Sequence, residues 1–433
     1  MFTGIKSKIA KLTETGSLWS YPGYRLFWVS TTIFVLGASA FPIALAVTVI
    51  DQGGSATTLG LILGSRILAS VIGAPFAGVW TDRLPRKQVM IASDLARAAI
   101  VLSMVFLSGP ATPHIFLGLA VFLMGVGDAF GAAAAGAIMP SLVPDEKLPA
   151  ANVARNIVVR TSTIIGPGIG GVSVYLIGGR LTFLFTAFAF ALGTYFLNKV
   201  KEEIKSEPKE RETFFTEMRE GLRTVIEIPW IGAMIFMVSF QLMVVLAAEV
   251  VLLPIITKRE FDSNTPFALS AAAFSLGSII SAIICVKVKV KHEGHVSILV
   301  WMLVIVAPLA LAFPISGTFI VIAYLIAGLS VGPWEAWWST AIQREVPPHL
   351  QGRVFSIDHM GSTALMPLGM ALVGPAANFF GERNLLIGAS IFHVLMGLSI
   401  MRIPGVRDMK MPPKTMISKS EQDQARKVRR DSV

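Results

Sequence analysis

The sequence predicts an all-α membrane protein, with twelve transmembrane helices arranged as two pseudo-symmetric six-helix bundles, and three observations predict it. Apolar types make up 54% of the 433 residues and Asp, Glu, Lys and Arg only 15%, against roughly 25% charged in soluble domains. Mean hydropathy is +0.68. A soluble fold of this length could not cover so much apolar surface, whereas lipid removes the need to cover it. The apolar residues also fall into runs of about 20, the length that crosses a bilayer as a helix. Finally, Lys and Arg punctuate these runs unevenly, as the connections of a multi-pass protein do.

Taken in order, residues 1–25 form a polar lead. Six spans follow at 26–50, 57–80, 88–108, 114–139, 152–177 and 181–199, making a first bundle over 26–200. Residues 201–229 are too charged to cross. Their later part sets Phe215, Met218, Leu222 and Val225 or Ile226 at helical spacing with charges between them, the pattern of an amphipathic helix lying on a membrane surface. Six more spans, at 230–256, 266–286, 295–314, 317–342, 354–378 and 384–402, make a second bundle over 230–402. A basic tail occupies 403–433, and its polar part from Pro412 onward is expected to be disordered.

Orientation follows from the cations. One set of connections holds Lys6, Lys8, Lys11, Arg25, Arg83, Arg86, Lys87, the central loop, Lys287, Lys289, Lys291 and the tail, and the other only Arg180, Lys258, Arg259 and Arg383. Positive charge stays inside, which puts both termini in the cytoplasm and the chain in the cell (inner) membrane.

Several chemistries are excluded. Cys285 is the only cysteine, so there is no intrachain disulfide and no thiolate cluster. No glycine loop with Lys and Ser or Thr is present to cradle ATP phosphates, and no His-rich metal spacing occurs. The net charge of +10 is not pooled into a stripe with interleaved aromatics, which argues against nucleic acid. The expectation is a monomeric non-enzyme without cofactor or metal, whose partners are a small molecule, protons and the bilayer.

The sharpest motif is Gly78, Asp82, Arg83, Arg86 and Lys87, at the turn between the second and third spans. A glycine lets a helix approach closely, the Asp can cap the turn, and the cations meet helix C-terminal dipoles and lipid phosphate. The string resembles the loop signature of the major facilitator superfamily, with Pro85 where that signature usually carries glycine. Further strings, Pro140 to Asn152, Phe215 to Arg223, Gln343 to Pro347 and Gly352 to Ser356, are similar to one branch of it, which contains the enterobactin exporter and the macrolide-efflux type transporters. The resemblance implies two bundles rocking around a central cavity and proton-driven export. Gly166, Pro167, Gly170 and Gly171 are similar to the glycine-proline motif of antiporters in that superfamily, and equally suit a small-residue packing seam.

Ionisable groups inside spans are costly and normally face a cavity or a partner. Asp94 and Arg97, three apart on one helix near its cytoplasmic end, are expected to pair with each other or with the loop motif, as structural elements. Asp128 and Arg160 both lie sixteen positions from the turn at Pro144, so at about 1.5 Å per residue both sit near mid-membrane on adjacent helices. The enterobactin-exporter resemblance implies the same acid and arginine. Two readings stay open: Asp128 exchanges protons while Arg160 tunes it or holds an anionic substrate, or the two form a static bridge. Arg66 and Glu249 are further intramembrane charges, expected with Asp128, Arg160 and Glu335 to serve proton coupling or substrate binding. In the second half, Glu335 lies among Trp334, Trp337 and Trp338, an acid with aromatic walls that suits a flat or cationic ligand, although an interfacial aromatic belt explains the tryptophans equally. His359 is expected to face Glu335. The superfamily resemblance places Gln241 and Glu249 along the cavity. The function expected is proton-driven export of a siderophore or related metabolite; the alternatives are efflux of a lipophilic antibiotic and a non-transporting sensor.

Overall fold

A computed structural model describes residues 17–410 except 108, 110, 111, 203–213, 286, 287 and 289. The expectations placed on Lys6, Lys8, Lys11, Lys287, Lys289 and the tail from Pro412 onward lie outside the described residues.

Helices follow the apolar runs closely. They are α1 Pro22–Asp51, α2 Ala56–Arg83, α3 Arg86–Leu107 and α4 His114–Ala137. The run Leu148–Asn198 then breaks at Gly178, whose φ of 77° and ψ of 167° lie in a region open mainly to glycine. Its two arms, 148–177 and 179–198, are α5 and α6, so one helical run holds two crossings. The short surface helix α7 is Phe214–Glu227. The second half comprises α8 Pro229–Phe261, α9 Thr265–Cys285, α10 Glu293–Ala312, α11 Gly317–Glu345, α12 Leu350–Phe380 and α13 Glu382–Ile400. Among the described residues this makes eleven helical runs long and apolar enough to cross a membrane, and twelve crossings once the break at Gly178 is counted.

Local chemistry sets the ends. Ser55 accepts from the Thr58 amide at the start of α2, and Ser316 from the Phe319 amide at the start of α11, each pairing an amide that has no partner within its own helix. Helix α8 carries a π-turn at Leu242–Leu246. Helix α12 is interrupted between Pro348–Thr363 and Met366–Phe380, just before Pro367, which has no amide hydrogen to donate.

Short antiparallel connections put both ends of the described chain at one pole, here termed the base; the opposite pole is the apex. The two halves meet near the apex. Gly60 and Gly64 on α2 lie against Met370 and Pro367 on α12, and Gly171 on α5 against the Ala268 carbonyl on α9. The Gly168 amide, two residues from Gly166, donates to Ser275 Oγ at 2.8 Å, and Asn264 Nδ2 donates to both Asp51 oxygens at 3.0 and 3.2 Å. One apolar core spans both halves there, including Phe41, Leu45, Val251, Leu252 and Met370. Toward the base the core divides. One cluster gathers Tyr24, Phe27, Ile138 and Met139 in the first half, and another Trp230, Trp338, Ile342 and Val354 in the second. The cleft between the halves therefore opens toward the base.

One expectation changes. Gly78 has open space where a side chain would stand, so it makes no close helix approach: with the cleft open at the base, the end of α2 does not meet α12. Residues 401–410, which include the start of the basic stretch, pack against the second half. Val406 and Met409 are fully buried with Trp230, and the Gly294 and His295 amides at the start of α10 donate to the Arg407 carbonyl at 3.1 and 3.2 Å.

Candidate functional site

The charged centre of the first half is built around Asp128 on α4. Glycines make room for it: a side chain at Gly127 or Gly131 would strike the Arg97 side chain, and one at Gly125 the backbone of Arg66. With those positions bare, α2, α3 and α4 close around one carboxylate. Arg66 Nε lies 2.8 Å from Asp128 Oδ2, and Arg97 Nη1 3.0 Å from Oδ1. Arg97 also pairs with Asp94 and donates from Nε to the Ser93 carbonyl at 3.2 Å. Two aromatic rings of α1 complete the wall: Phe41 lies 5.2 Å from the Arg66 guanidinium and Phe34 4.2 Å from that of Arg97, favourable contacts for desolvated cations.

Two acids and two arginines make the group neutral as a set. Its inner part is sealed, with Arg97 and Asp94 at 5% and 6% exposure, while Arg66 and Asp128 keep 20% and 26%. A charged pair is costly against lipid, so the opening it meets is the cleft. A proton added at Asp128 leaves the set with one uncompensated positive charge, and a proton removed restores balance.

The sequence placed Asp94 and Arg97 in a local structural pair, but Arg97 reaches α4 as well and belongs to the same network as Asp128. The side chains of Arg160 and Asp82 lie outside the described residues. Of the loop motif, Arg83 is exposed and Arg86 half-buried. The Lys87 amide donates to Glu202 at 3.1 Å, and Lys87 Nζ to the Asn198 carbonyl at 2.7 Å, which ties the start of α3 to the end of α6. Gly166 and Gly170 face Ser39, Ala40 and Ile43 of α1, whereas Gly171 faces α9. The glycine-proline segment thus serves two helix contacts, one within its half and one across the halves.

In the second half two of the expected cavity residues, Trp334 and Gln241, are packed away in the core. Trp334 and Trp338 are buried at 6% and 4% exposure, in a stack running from Trp301 through Trp334 and Trp338 to Trp230. Four flat rings on α8, α10 and α11 bury more surface against one another than against an open cleft. Gln241 is buried too. It accepts from Trp301 Nε1 at 2.9 Å and donates to the His393 carbonyl at 3.3 Å, while His393 Nε2 meets the Trp301 carbonyl at 3.2 Å. Trp337 and Glu335 are half-buried, and His359 is exposed. From α12, Gln351 donates to the Gln343 carbonyl of α11 at 3.0 Å, and Asp358 accepts from Trp338 Nε1 at 2.9 Å. Sequence reasoning missed Asp358, although an acid only four residues, about 6 Å at 1.5 Å per residue, inside the expected span 354–378 was a signal. Glu249 is buried on α8, its Oε1 without a partner. Among the described residues no cluster of His, Cys, Asp and Glu could hold a metal ion.

Comparison with known proteins follows the geometry. The sequence profile described as Major Facilitator Superfamily matches residues 27–370. The multidrug efflux pump Tap of Mycolicibacterium fortuitum is 26% identical over 385 residues, 84% of this chain and 92% of that protein. Macrolide efflux protein A of Streptococcus pyogenes is 24% identical over 395 residues, 89% of this chain and 95% of that protein. Among solved structures, a D-xylose-proton symporter superposes with a TM-score of 0.65 at 12% identity, covering 90% of this chain and 100% of that one.

Proposed function

The chain belongs to the Major Facilitator Superfamily, a multi-pass membrane transporter and not an enzyme, and from that membership we propose that it exports lipophilic antibiotic-like molecules in exchange for protons. The observation that carries the reading is the Asp128 carboxylate held between Arg66 and Arg97 with part of its surface open to the cleft. A carboxylate so placed exists in two charge states that differ in how strongly it draws α2 and α3 onto α4, and a transporter couples ions to substrate only through such a difference between states. Drug and macrolide pumps among the relatives support the antibiotic class. The siderophore expectation leaned on the match of Asp128 and Arg160, and the described partners of Asp128 are Arg66 and Arg97.

In this reading the base faces the cytoplasm, so the conformation described is open inward. Asp128 has given its proton to the inside and lies between its two cations. A lipophilic substrate enters the cleft from the cytoplasm or the inner leaflet, the halves rock to open the apex, and a proton taken from outside returns the protein. Residues 26–200 and 230–402 are the two moving bodies, joined by 201–229.

Accumulation of erythromycin in cells that lack other pumps tests the proposal. Expression of the chain is expected to lower accumulation several-fold, and a protonophore to abolish the effect. Unchanged accumulation of erythromycin and of lipophilic dyes, together with increased siderophore release, contradicts it.

A further inference from the structure

Glu249 has no place in the Asp128 network, which lies in the other half. It is 5% exposed on the stretch of α8 that follows the π-turn at Leu242–Leu246, a backbone irregularity often found at functional sites. Tyr324 of α11 presents its hydroxyl toward the carboxyl, without the geometry of a formed hydrogen bond, and both Glu249 Oε1 and the Tyr324 hydroxyl are buried and unpartnered.

Among the described residues, the other elements packed on α8 offer it no cation. Arg66 on α2 is held by Asp128, Asp51 on α1 by Asn264 and Lys258, Asp358 on α12 by Trp338, and His393 on α13 by the Trp301 carbonyl. On α9 the buried hydroxyls are those of Ser270, Ser275, Ser278 and Ser281, and among them Ser270 has no hydrogen-bond partner. Lys258 and Arg259, farther along α8, pair with Asp51, Asp262, Glu260 and Glu382 at the apex. An ionised carboxylate sealed in apolar surroundings without a cation costs many kcal/mol, and such a group takes a proton instead.

Position decides what the proton could do. Val251, two residues on, lies beside Gly60 where α2 meets Met370 of α12, so Glu249 sits directly behind the contact that closes the apex. Parting the halves there withdraws α2 from this segment of α8 and opens a path from the apical side. We propose that Glu249 is a second proton-binding site, occupied while the apex is closed and open to the external solution when the apex opens, with Tyr324 as its hydrogen-bonding neighbour. This rests on the reading of the chain as a proton-coupled transporter.

The test has two arms. Infrared difference spectra of the purified full-length protein at neutral pH are expected to show a protonated-carboxyl C=O band that disappears in Glu249→Gln and shifts in Tyr324→Phe, a variant that preserves the packing if the first does not fold. In vesicles, Glu249→Gln is expected to keep substrate counterflow and to move one proton fewer per substrate. A band unaffected by both variants, an unchanged proton-to-substrate ratio, or stimulation by sodium at fixed pH overturns the assignment. If the wild type moves substrate with no protons at all, the coupling reading fails, and the infrared band alone then decides whether Glu249 holds a proton.

Discussion

Asp128 Oδ2 stands 2.8 Å from Arg66 Nε, and this pair is the part of a four-residue network that the cleft can reach. Arg97, the inner cation, touches two carboxylates and is nearly sealed. The two arginines therefore differ in what their loss does. Arg97→Ala leaves Asp94 and Asp128 short of a buried cation and is expected to cost up to about 3–5 kcal/mol of stability. Arg66→Ala is expected to cost well under half of that and to impair transport more than folding. Thermal melts of both purified variants check the order; equal melting temperatures contradict it.

The apical seam depends on bare backbone. A side chain at Gly171 meets the Ala268 carbonyl of α9, and one at Gly374 meets Thr57 of α2. Gly171→Val is expected to hold the apex apart, raising the labelling of a cysteine introduced at Ser275 by an external thiol reagent several-fold. Labelling at the wild-type level means that the seam is not the closing contact.

Trp334 belongs to an aromatic stack, so its truncation removes packing before it removes recognition. Trp334→Ala is expected to cost about 3–5 kcal/mol, as for large aromatic core residues, and to weaken efflux of all substrates alike. A stable variant with altered substrate preference would restore Trp334 to the cavity.

Residues 401–410 strap the base of the second half. Ending the chain after Lys410 is expected to leave the melting temperature unchanged, whereas ending it after Met401 removes Val406 and Met409 from the core, at about 1.5–3 kcal/mol each. Asp408 adds a pH dependence. A hydrogen bond from His292, 2.6 Å away, holds its carboxyl below the ordinary carboxylate range. A carboxyl lowered on folding stabilises the folded state above its unfolded pKa, and that contribution fades as pH falls through the folded value. Stability is thus expected to drop below about pH 4, where a free Asp titrates, and Asp408→Asn to flatten that part of the melting profile.

The spans were legible because lipid imposes a length on every apolar run, and even the reversal at Gly178 fell between two of them. Which helices adjoin was harder to read. Asp128 and Arg160 share a depth by counting from Pro144, yet depth does not choose a neighbour, and the described partners come from α2 and α3. Gly127 and Gly131, four apart on the same face as the acid, signalled that something bulky had to fit there, and Arg97 fills that space. The tryptophans of α11 were visible as a cluster, but spacing along one helix says nothing of whether that face turns to a cleft or to the rings of Trp230 and Trp301. Glu249 carried no local motif, and only the helices packed around it show that it lacks a cation among the described residues.

Coupling through Asp128 is tested most directly by substrate-induced proton movement in vesicles holding the purified protein, wild type against Asp128→Asn. Addition of the exported macrolide is expected to drive a measurable pH change with the wild type and at least tenfold less with the variant, while macrolide counterflow at equal pH persists in both. A variant that moves as many protons per macrolide as the wild type would show that the charge held between Arg66 and Arg97 is only a brace between helices.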